Sequence, residues 1–96
     1  MTELRARAER FLCGPLPAGE QTEGNATLGL IARYAAGGSW NDPLLLRLAA
    51  GCASVLEGDL DQHPNPSRRA YYAEAAKILR AILAETAAGS KRQQEA

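Results

Sequence analysis

The sequence predicts an all-α protein, a small four-helix domain in which two short N-terminal helices pack on an antiparallel hairpin of helices 3 and 4. Three observations point there. Apolar residues recur at three- and four-residue spacing in four separate segments, and Gly or Pro punctuates the chain between them. No stretch alternates with period two over enough residues to make a strand. Nineteen of the 96 residues are alanine and only 5% are aromatic. Alanine is the best helix former and keeps the helix surface shallow, so it suits helices that approach one another closely.

The first helix is expected over about 3–13, with Leu4, Ala8, Phe11 and Leu12 on one face. Gly14-Pro15 ends it, because Gly takes the left-handed C-terminal position and Pro cannot continue the helix. A linker rich in Pro, Gly and Glu follows over 14–24. The second helix is expected over about 25–36, with Asn25 as N-cap and Leu30, Ile31, Tyr34 and Ala35 inward. Gly37-Gly38 stops it, and Ser39 is read as a cap ahead of the third helix.

The third helix is expected over about 43–61, opened by Asp42 at N-cap and Pro43 at the first helical position. Leu44, Leu45, Leu48, Ala49, Cys52, Val55, Leu56 and Leu60 form its apolar arc, about 160° wide at 100° per residue. Leu46 stands at the edge of that arc. "HPNP" breaks the chain, and Asn65 or Ser67 caps a fourth helix over about 67–88. Tyr71, Tyr72, Ala75, Ile78, Leu79, Ile82 and Leu83 share its broad inner face. Gly89 is the expected stop, leaving one domain over 1–89 and a flexible tail over 90–96.

Eleven bases balance eleven acids, so no global field steers the chain toward nucleic acid or anionic membrane. The distribution is uneven, though: residues 14–63 hold six acids and two arginines, whereas 64–96 hold six bases and three acids. Two cysteines, Cys13 and Cys52, build no disulfide framework and read as reduced thiols. The first ten residues have no apolar signal region, and no run approaches the roughly 18 apolar residues of a membrane span. The expected location is the cytoplasm.

The stretch richest in chemical groups, "GDLDQHPNPSRRAYYAEA" over 58–75, reads as a connector. Asp59, Asp61 and His63 resemble a ligand ladder, but Pro64 stands where a calcium loop needs glycine, and no second His or Cys completes a zinc site. Cys52 lies mid-stripe as a small core residue, and Cys13 has no neighbour that would activate it. The glycines match no phosphate-binding loop. The expectation is therefore no enzyme, with no catalytic, cofactor or metal site.

What remains is a binding surface. Trp40 lies in a short Gly-Gly-Ser connection, where an indole either staples two helices or anchors a partner. Arg68 and Arg69 border the amino end of helix 4, and Arg69, Lys77 and Arg80 form its basic flank. Tyr71 and Tyr72 point about 100° apart, so burying both requires neighbours on two sides. Trp40, Arg68, Arg69, Tyr72, Lys77 and Arg80 are the candidate protein-binding residues. The expected function is a small non-catalytic adaptor or inhibitor that binds a larger protein complex, with a homodimer also open. A phage or mobile-element accessory protein that blocks a host defence system, such as a CRISPR effector, is one form of that expectation. The alternative is a small nucleic-acid-binding regulator that uses the basic flank.

Overall fold

The structure, a computed structural model, describes residues 3–14, 26–38, 40, 42–59 and 66–95. Expectations for the 15–24 linker, Asn25, Ser39, Leu60, Asp61, His63 and Asn65 fall outside the described residues. Among the described residues the chain is all-helical: α1 (Glu3–Cys13), α2 (Ala26–Ala35), α3 (Pro43–Asp59) and α4 (Pro66–Glu95).

The signals that bound α2 and α3 have visible causes, whereas Gly14 follows α1 with its N–H donating to the Phe11 carbonyl at 3.3 Å and without the left-handed conformation expected of it. Asp42 caps α3, its Oδ1 accepting from the Leu44 N–H at 2.9 Å, while its carbonyl accepts from Leu46 at 3.2 Å. Gly37, at φ 82°, turns the chain out of α2. Its N–H donates to the Tyr34 carbonyl and that of Gly38 to the Arg33 carbonyl, at 3.0 and 2.9 Å, which is a Schellman motif. Ala36 N–H donates to Ala32, and Arg5 Nε of α1 donates to the Ala35 carbonyl at 2.8 Å. Thus the last four carbonyls of α2, orphaned by the end of a helix, all have donors. The cation is also on the correct side of the helix dipole.

α4 differs from the expected range at both ends. It begins at Pro66, whose fixed φ suits the first helical position, so Ser67 lies inside the first turn rather than at the cap. It runs to Glu95, through Gly89. A mid-helix glycine costs only about 1 kcal/mol relative to alanine, and the residues after it, Lys91 to Glu95, are good helix formers. Thirty residues at 1.5 Å each give about 45 Å, and the molecule is 48 Å in its longest dimension. This length explains a radius of gyration of 13.8 Å, above the 12–13 Å or so of a rounder chain of this size.

α4 is the hub. It packs against α1, α2 and most extensively α3, while α1 and α2 pack on each other. Trp40, just ahead of α3, lies by Glu85 and Thr86 late in α4, while Ser54 and Glu57, late in α3, are held by Arg80. This order runs the two helices antiparallel. Ile31 of α2 and Ile78, Leu79 and Ile82 of α4 are the largest fully buried side chains, and Ala8, Ala49, Ala53 and Ala75 complete the interior. Burying each large aliphatic stabilises by about 1.5–3 kcal/mol. The alanines let the helix backbones come close. Phe11 of α1 stacks on Tyr71 with ring centroids 4.8 Å apart, and Tyr71 meets the edge of Tyr72 at 5.9 Å.

Helix 3 departs most from expectation. Its buried line is Ala49 and Ala53, with Leu45, Leu46, Cys52 and Leu56 partly buried against the core. Leu44, Leu48 and Val55, expected inside, are 70%, 49% and 65% exposed. The cause is topological. Among the described residues α3 has one main neighbour, α4, touches α2 only lightly and does not meet α1. An arc about 160° wide is more than one neighbouring helix covers.

Candidate protein-binding surface

The candidate residues divide by their place in this frame. Trp40 is 7% exposed and belongs to the core cluster, so it staples the α2–α3 connection onto the bundle. Its Nε1 is buried with no hydrogen-bond partner among the described residues. Tyr72 is half-buried beside Tyr71, and Arg68 is half-buried at the start of α4. Arg69, Lys77 and Arg80 are exposed.

Arg80 is engaged within the chain. Its Nη2 donates to Glu57 Oε1 at 2.8 Å and to Ser54 Oγ at 3.1 Å, and its Nε to Glu57 Oε2 at 3.1 Å. This two-pronged bond clamps α4 to α3 across solvent. Among the described residues it leaves Arg69 and Lys77 as the flank's cations without such a clamp. On the other side of α4, Glu74 accepts from Arg7 Nε of α1 at 2.7 Å and also from Arg7 Nη2. Arg7, 67 residues away, shares no local spacing with Glu74 that could have shown the pair.

The Arg80 hydrogen bond holds the Glu57 carboxyl below the usual carboxylate range. A depressed folded-state value means the pair contributes stability above the unfolded pKa and loses it as pH falls through the folded one. Arg80→Gln is expected to return the Glu57 titration midpoint upward, as read by carboxyl-carbon NMR. An unmoved midpoint would show that the clamp does not hold in solution.

A cleft of about 350 Å³ lies where α1, α2 and α4 meet, lined by Arg5, Tyr34, Gly37, Gly38, Trp40, Glu85 and Thr86. Its polar walls are tied to the fold: Arg5 to the Ala35 carbonyl, and Tyr34 Oη donating to Glu85 Oε2 at 2.8 Å. Among the described residues no three His, Cys, Asp or Glu side chains gather as a metal site. None of the described helices is long and apolar enough to cross a membrane.

The residues that sequence reasoning missed as a surface are Leu44, Leu48 and Val55. At 0°, 40° and about 20° on the helical wheel they form one strip along α3, turned away from the Ala49–Ala53 line. The signal was the width of the apolar arc combined with "PLLLRL", where three consecutive leucines cannot all face one neighbour. Exposed Gly51 continues the strip, and a Cβ placed there would meet nothing within 4 Å. No protein-family model matches the chain, and comparisons with curated proteins and with solved structures give no match either.

Proposed function

We propose that the protein is a non-catalytic protein-interaction module that docks through the apolar strip of α3. The observation that supports this is the exposure of Leu44, Leu48 and Val55 together on one helix face. Single exposed leucines are ordinary, but an aligned apolar strip on a helix with one main neighbour favours contact with another protein. The finer form of the reading is a small adaptor or inhibitor that occupies a site on a larger complex, such as a host defence assembly. The basic flank gives less support to a nucleic-acid reading, because Arg80 is clamped to Glu57 and the chain has no net charge.

The test is capture from the source cell's lysate with and without nuclease, comparing the wild type with Leu48→Glu. Leu48 is half exposed, so the variant is expected to fold, and to lose most protein recovered by the wild type in a nuclease-independent manner. Equal recovery by both, or recovery that vanishes with nuclease, would sink the proposal.

A further inference from the structure

We infer that the α3 strip is the seam of a homodimer in which two copies of α3 pair antiparallel about a dyad between Leu48 and Gly51. The inference rests on the docking role proposed above and gives the strip a second copy as its occupant, so a larger complex would compete with that copy for the same face. Three features of the strip carry it.

The first is spacing. Positions 44, 48, 51 and 55 follow one another by four, three and four residues, the repeat of a two-helix seam, and they fall within an arc of about 60°. The second is self-complementarity. An antiparallel dyad midway between residues 49 and 50 sets Leu44 opposite the second copy's Val55 and Leu48 opposite its Gly51. Symmetry repeats both pairs. Each large side chain thus meets a smaller one, and Leu48 enters the space that Gly51 leaves open. On one flank Leu45 comes opposite the second copy's Cys52, and on the other Arg47 comes opposite its Ser54, where the Glu57 carboxylate offsets the Arg80 guanidinium bonded to that serine. A parallel arrangement instead sets Leu48 against Leu48 and Gly51 against Gly51, which crowds one level and empties another.

The third feature is Gly51 itself. It sits exposed in the middle of a 17-residue helix, where glycine weakens the helix, and nothing in the folded monomer needs the room. A close approach by a second helix gives that glycine a purpose. Zero net charge leaves no long-range repulsion between copies. A seam of one helix per partner is smaller than the roughly 800 Å² a side of a standard interface, so the dimer is a weak one that forms with rising concentration.

The test is sedimentation velocity of the full chain from about 1 µM to about 1 mM, a range that spans weak association. The wild type is expected to pass from monomer to dimer. Gly51→Gln restores helix propensity and fills Leu48's seat; Leu48→Glu charges the seam. Each is expected to weaken dimerisation at least about tenfold, with helical circular dichroism and melting of the monomer unchanged or, for Gly51→Gln, improved. If Gly51→Gln fails to fold, Leu48→Glu decides alone. A dimer that persists in both variants overturns the seam. A wild type that stays monomeric overturns the second copy. In that case nuclease-resistant capture lost in Leu48→Glu leaves the docking role standing with another occupant, and its absence removes both.

Discussion

Trp40→Ala is expected to destabilise the protein by about 3–5 kcal/mol, a large share of the roughly 5–14 kcal/mol available to a 96-residue domain. The indole is nearly buried in the cluster that joins α2, α3 and α4, and its removal leaves a void that the Gly37-Gly38 turn is poorly placed to fill. Gly37 sits at positive φ, and any Cβ at Gly38 would meet Arg33 Cγ at 2.7 Å, so that backbone has little freedom to collapse inward. Urea unfolding followed by far-ultraviolet circular dichroism, which does not depend on the lost chromophore, should show the midpoint falling by at least about 1 M. Trp40→Phe should cost less than Trp40→Ala. It keeps most of the ring packing and deletes an N–H that is buried with no partner among the described residues, a group that itself costs about 1–3 kcal/mol. If Trp40→Ala leaves stability within 1 kcal/mol of wild type and instead removes a partner, the indole is an anchor and the staple reading fails.

The fate of Trp40 shows where sequence reasoning succeeds and stops. Its position in a Gly-Gly-Ser connection, off any periodic stripe, left two roles open, and its burial in the packing of α2 and α3 around α4 is what favours the staple. The elements themselves were legible because their signals are local. Asp42-Pro43 starts a helix and Gly37-Gly38 stops one through contacts within six residues, whatever the rest of the chain does. The inward faces of α1, α2 and α4 were legible too, since each presents one apolar side to the bundle.

The surface was harder because exposure depends on which helices become neighbours, and periodicity carries no record of that. The α3 arc identified residues able to be buried; the missing contact between α1 and α3 decided that Leu44, Leu48 and Val55 are not. Arg80 shows the same limit in a charged group. On the wheel it completes a basic flank, yet Glu57, 23 residues earlier on another helix, claims its guanidinium. Gly89 shows a local signal outweighed: one glycine does not end a helix when the residues on both sides favour it.

Ile82→Ala is the counterpart that separates interior from interface. Ile82 is fully buried on the face of α4, among residues from the other helices, so its loss removes about three methylene equivalents and leaves a cavity that α4, packed by all three neighbours, resists closing. The expected cost is about 2–5 kcal/mol, and at this chain length that lowers the melting temperature by more than about 10 °C. Ile82→Val should cost only about 0.5–1.5 kcal/mol, a graded response that cavity formation demands. Val55→Ala removes similar chemistry from a side chain 65% exposed in the monomer, and there the expected change in monomer stability is within about 0.5 kcal/mol. The two substitutions therefore predict opposite outcomes in two assays. Ile82→Ala melts early at any concentration. Val55→Ala melts like the wild type when dilute but falls behind it when concentrated, because only the concentrated wild type gains stability from association. If both variants lose equal stability at low concentration, the α3 strip is packed inside the monomer, and neither the docking surface nor the seam exists.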